Sequence, residues 1–151
     1  MISLIRVFFQ DSKERQVHWF LFPIIGLLCG VLFYQNTLPE LFLTSVTINF
    51  IFVALLIFVV YLYSKIKLKN ALLKSIGLGD ILFFLAVSLS FSTVSFIIIF
   101  ISSLIFSLGL HLFISKNQKT VTIPLAGYMS LFFFVSYIFH WTGFINVVYN
   151  I

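Results

Sequence analysis

The sequence predicts an all-α fold: a polytopic bundle of membrane-spanning helices forming a single domain over residues 1–151. Three observations carry that expectation. Apolar residues make up 62% of the chain and charged residues only 9%, with a mean hydropathy of +1.19, whereas soluble domains are about 25% charged. A soluble globule of this size has too little interior to hide so much apolar surface. Uncharged apolar runs also recur at about the 17–25 residues a membrane crossing needs. Finally, the nine Lys and Arg residues fall only in alternate polar breaks between those runs. The composition excludes a soluble enzyme, a disordered tail and, with Cys29 the only cysteine, a secreted disulfide scaffold.

Met1–Gln10 is apolar, too short to cross and interrupted by Arg6. It reads as part of a helix or as a segment lying at the interface, and no small-x-small cleavage site follows it or the next run. Val17–Tyr34 is the first full span. The polar stretch Gln35–Glu40, with Pro39, breaks it, and Leu41–Ser64 is the second. A lysine-rich linker follows, carrying Lys65, Lys67, Lys69 and Lys74. Ile81–Ser115 then holds no Asp, Glu, Lys or Arg. As one helix it would be about 50 Å long at 1.5 Å per residue, against a hydrocarbon core of about 30 Å. It is therefore expected to fold back at Ser90–Thr93, where small hydroxyl residues favour a turn, giving spans over Ile76–Phe91 and Ser95–Ile114. Lys116–Lys119 is the next polar loop and Ile123–Trp141 the last span. The tail after Trp141 is expected along the interface, anchored by Tyr149. The sum is five full transmembrane helices plus a partial N-terminal one.

Arg6, Lys13 and Arg15, the linker lysines, and Lys116 with Lys119 all lie on one side of this topology, and the positive-inside rule makes that side cytoplasmic. The alternation holds only if Ile81–Ser115 folds back. The net charge of +5 is then a matter of topology and anionic lipid headgroups. No nucleic-acid partner is expected, because no soluble basic surface exists to receive one.

Of four acidic residues, the two aspartates, Asp11 and Asp80, share the cytoplasmic boundary. Such a pair can hydrolyse a peptide without metal or nucleophile. One ionised carboxylate takes a proton from water while its protonated partner hydrogen-bonds the scissile carbonyl. Two adjacent carboxyls share a proton and titrate as a coupled pair. The dipole of the helix beginning at Asp80 favours its charged form and burial opposes it. Gly77 and Gly79 leave room beside the acid and allow an irregular turn. Taken singly, Asp80 also reads as an N-cap beside a glycine loop, and Asp11, among Lys13, Glu14 and Arg15, as part of a solvated loop.

Gly77-Leu78-Gly79-Asp80 followed by an apolar helix resembles the GxGD aspartyl proteases of membranes, which include the type IV prepilin peptidases, the archaeal preflagellin peptidases and the presenilins. The chain's small size favours the prepilin and preflagellin branch. Gln10–Trp19 resembles the first catalytic segment of that branch, an Asp at a helix end followed by a short basic loop, an aliphatic residue and the next span. Ile123-Pro124-Leu125-Ala126-Gly127 resembles a proline-containing segment at the start of its last span. The resemblance runs from about Phe8 to about Phe134. It implies Asp11 and Asp80 as the catalytic pair and Gly77 and Gly79 as the active-site turn. It implies cleavage of the leader of prepilin-like precursors at the cytoplasmic face of the inner membrane. Leu82 stands where family members commonly carry Lys. The cysteine-rich insert of the larger bacterial enzymes is missing, so methyl transfer is not expected.

No cofactor or metal is expected: His18, His111 and His140 are scattered across spans without ligand spacing. Glu40 reads as solvated, the 21 phenylalanines as packing and lipid-facing residues, and Pro23 and Pro124 as kinks or helix starts. Ser102 and Ser103 have no base in reach. A second functional reading is a catalytically degenerate relative that binds pilin-like helices or scaffolds a secretion complex. A small transporter or channel subunit is disfavoured by the lack of charge at mid-span.

Overall fold

The computed structural model of the chain describes residues 2–14, 17–68, 77–115 and 125–142. Among them the fold is all-helical: α1 (Ile2–Glu14), α2 (Leu21–Gln35), α3 (Pro39–Tyr63) running into a π-helical turn (Ser64–Leu68), α4 (Leu78–Val87), α5 (Thr93–Ser115) and α6 (Leu125–Trp141). Arg15, Lys69, Lys74, Lys116, Lys119, Pro124 and the tail with Tyr149 lie outside the described residues.

The boundaries follow local chemistry. Pro39 occupies the first turn of α3, where its missing N–H costs nothing, and the preceding Leu38 is extended at ψ 141°, as a residue before proline prefers. Pro23 also falls in a first turn, that of α2, and needs no kink. The expected fold-back is present as a non-helical segment, Ser88–Ser92, between α4 and α5. Its two arms meet through the Phe84 and Phe100 rings, but each makes its main contacts elsewhere: α4 packs on α2, and α5 on α6 and α3.

Two helical stretches, Pro39–Ile66 and Thr93–Phe113, are long and apolar enough to cross a membrane. Only 11% and 22% of their most apolar windows are buried within the protein, so neither is the core helix of a soluble globule. On α3 the buried positions are Asn49 and Val53, while Leu43, Ile51, Leu55 and Phe58 are exposed. Helices α2, α4 and α6 are apolar but shorter, at 15, 10 and 17 residues. Helix α4, about 15 Å long, reaches half the thickness of a hydrocarbon core of about 30 Å.

Helix α6 is the central element, packed against α1, α4 and α5 and buried almost all round its first two turns. Aromatic rings fill the space around it. Phe83 meets Phe133 edge-on at 5.9 Å, Phe91 packs on Tyr137 at 4.9 Å, and Phe84 meets Phe100 at 5.1 Å, in the offset and T-shaped geometries that ring quadrupoles favour.

Helices α2 and α4 meet through a small-residue seam, Gly26 and Gly30 four positions apart. A Cβ added at Gly26 would lie 3.3 Å from Leu89 Cδ1 and 3.5 Å from Ala86 Cα, and one at Gly30 3.6 Å from Leu89 Cβ. Missing side chains let the two backbones approach, as in membrane helix pairs. With Phe22 against Gly79 at one end and Gly30 against Leu89 at the other, the two helices run parallel. Helix α6 runs the same way, since Asp80 meets Ala126 while Phe91 meets Tyr137. Three helix N-termini therefore gather at one end of the bundle.

The turn after α4 is held from α3. The Asn49 side chain, fully buried, donates from Nδ2 to the carbonyls of Ser88 at 3.1 Å and Phe91 at 3.0 Å. Non-helical backbone in an apolar bundle needs such a partner, because no water is at hand to supply one.

Candidate active site

Two separate stripes deliver the two aspartates. On α1, Leu4 and Val7 are buried at 2% and 0% exposure. Asp11 continues the same face at i+4, so the packing that buries the stripe against α6 also turns Asp11 inward. On α4, Phe83, Phe84 and Val87 are buried, and Asp80 lies three and four positions before the first two. In each helix the acid sits at the end of an apolar stripe, where it meets α6.

Both meet the N-terminus of α6. The Gly127 N–H donates to Asp11 Oδ2 at 2.5 Å, and the Ala126 N–H donates to Asp80 Oδ1 at 2.9 Å. These are the third and second residues of the helix, whose amides have no acceptor within it and carry the positive end of its dipole. Consecutive amides thus hold the two carboxyls side by side. Asp80 is also gripped by its own turn. Gly77 caps α4 in extended conformation, at φ −64° and ψ 146°, and its carbonyl accepts the Asp80 N–H at 3.1 Å. Its N–H faces the Asp80 carboxyl, the acidic half of a capping box; glycine has no side chain to supply the other half.

No family model, no curated protein and no solved structure matches the chain. Asp80, in the first turn of α4, lies outside both membrane-length stretches. Burial pushes its carboxyl up from the ordinary carboxylate range to about 6. The Ala126 N–H opposes the rise, the neighbouring Asp11 charge adds to it, and the Gly77 N–H opposes it. Burial thus outweighs the two helix N-termini that favour the charged form. A carboxyl poised near neutrality beside a second one has the composition of an acid–base pair.

Of the residues singled out in the sequence, Asp11, Asp80 and Gly77 come together here. A Cβ on Gly77 would stand 3.3 Å from Asp80 Oδ2. Gly79 faces elsewhere, its bare Cα turned to the Phe22 ring of α2, with 3.6 Å available to an added Cβ. Leu82 packs against the apolar core. Sequence reasoning assigned no role to Ala126 and Gly127, the two donors. Their signal was present in two small residues following Pro124 at the start of a span, where a helix can be approached closely.

Proposed function

We propose that the chain is a membrane-embedded aspartyl endopeptidase that cleaves the leader of prepilin-like precursors. In this reading it is a multi-pass protein of the inner membrane, with five spans and the α1 segment, and its active site faces the cytoplasm. The observation that carries the reading is the meeting of Asp11 and Asp80, far apart in sequence, on consecutive amides of α6. One carboxylate takes a proton from a water molecule as the water attacks the scissile carbonyl. The other, protonated, donates to the carbonyl oxygen and then gives a proton to the departing amine. The resemblance of Gly77–Asp80 and its flanking segments to GxGD proteases supplies the substrate class, a pilin-like precursor held in the bilayer.

A second reading is a non-catalytic relative that binds pilin-like helices or scaffolds a secretion complex. Leu82 favours it, standing where the resembling enzymes commonly carry Lys, and so does the fact that both carboxyls serve as helix caps. Co-expression with a prepilin-like protein from the same genome separates the two. Loss of the leader on a gel with wild type, and its retention with Asp11→Asn and with Asp80→Asn, is the result expected of the enzyme. Cleavage that survives both substitutions eliminates the catalytic assignment.

A further inference from the structure

Gly127 is a glycine in a helical turn, where alanine is ordinarily more stable by about 0.5–1 kcal/mol. Its helical backbone calls for no glycine, so the reason lies in what touches it. A Cβ built there would lie 3.0 Å from both Cβ and Oδ2 of Asp11, closer than at any other described glycine. Asp11 has little freedom to retreat, because Leu4 and Val7 fix the same face of α1 in the core. The Gly127 N–H meanwhile donates to the same carboxyl.

We infer that Gly127 is a positioning residue for the aspartate pair: its N–H and its missing Cβ together seat the Asp11 carboxyl on α6, one peptide from Asp80, so that the two carboxyls titrate as one unit. Asp80 is the acidic group brought to Asp11 by α4. Neither α2 nor α6 carries Asp, Glu, Lys or Arg, and their other titratable groups are Cys29 and Tyr34, and Tyr128, Tyr137 and His140. Helix α1 itself adds Arg6, Lys13 and Glu14, and His18 follows it, its backbone N–H on the Gln10 side chain at 3.5 Å. Asp80 is thus the one carboxyl that α2, α4 and α6 bring to Asp11, and the spacing that Gly127 sets governs how strongly the two interact.

The inference rests on reading the pair as the reactive centre, but its test does not need cleavage. The full chain in detergent is titrated by infrared spectroscopy of the protonated-carboxyl stretch. With four acidic residues in the chain, each band is assigned by its Asn or Gln variant. Asp11→Asn is expected to lower the Asp80 midpoint by about one pH unit, since it removes a neighbouring negative charge. In Gly127→Ala the midpoint is already lowered, and adding Asp11→Asn moves it no further. An Asp11→Asn shift of equal size in both backgrounds overturns the inference. So does an Asp80 midpoint that Asp11→Asn leaves unmoved in the wild-type background, a measurement that stands even if Gly127→Ala fails to fold. In the cleavage assay, Gly127→Ala is expected to lower kcat about 10–100-fold at unchanged KM. A wild-type protein that cleaves no prepilin-like precursor defeats the proposed function and leaves the titration result standing.

Discussion

At the Ser88–Ser92 turn, carbonyls left over between α4 and α5 are satisfied by a neutral amide, Asn49; at the other end of α4, N–H groups left over where α6 begins are satisfied by two carboxyls. Both sites solve the same problem, the pairing of backbone groups left over where helices begin and end. The first does so with one uncharged side chain. The second uses two ionisable groups where Ser or Asn would cap as well, and it accepts a mutual repulsion that helps lift Asp80 to about 6. Capping explains what the Asn49 Nδ2 does at the first site; its buried Oδ1 has no partner among the described residues. The second holds more acidity than capping needs, and that surplus is what the peptidase reading uses.

The substitution with the largest expected effect removes that surplus and leaves the capping. Asp11→Asn and Asp80→Asn keep an oxygen for the α6 amide, so the fold should persist while leader cleavage falls by about 10²–10⁴-fold, read as the rate of mobility shift on a gel. If both variants cleave at wild-type rate, the two ends of α4 differ only in decoration. At the other site Asn49→Leu leaves two carbonyls without donors and is expected to cost about 1–3 kcal/mol, measured by thermal unfolding in detergent. An unchanged midpoint would show that the turn needs no partner.

The sites should also diverge with pH. The Asp80 carboxyl titrates higher in the fold, near 6, than in an unfolded chain, near 3.9. The folded state therefore binds more protons between those values, and stability declines as pH rises from about 4 to 6. Asp80→Asn should flatten that decline, whereas Asn49→Leu should lower the whole curve without changing its slope. A wild-type Tm that is level across this window would remove the buried-acid argument.

The glycines give a graded series, with the smallest effect last. Gly26→Val crowds the seam against Leu89 and Ala86 and should cost about 1–3 kcal/mol. Gly79→Ala meets open contact and should stabilise by about 0.4–1 kcal/mol. A destabilised Gly79→Ala would restore that glycine to the active-site turn expected from sequence.

What the sequence made legible follows from where its patterns carried information. The break at Ser90–Thr93 stood out because small hydroxyl residues interrupt an otherwise uniform apolar run. The shared sidedness of Asp11 and Asp80 followed from the distribution of lysines. Helices apolar all round, such as α3 and α5, give no periodic signal for which face is buried. The isolation of Asn49 among exposed Ile and Leu, and the parallel contact of α2 with α4, were therefore hidden. Gly127 escaped notice for a related reason: its importance lies in the approach of Asp11 on another helix, which no local pattern encodes.

The Asn49 contact also orders events in time. The ribosome delivers α3 before α4 and α5, so the donor that the Ser88 and Phe91 carbonyls require is already in the chain when that turn is made. The second half of the chain thus meets in α3 a donor for its own turn, and an α3 displaced from the bundle would leave the Ser88 and Phe91 carbonyls without the Asn49 amide.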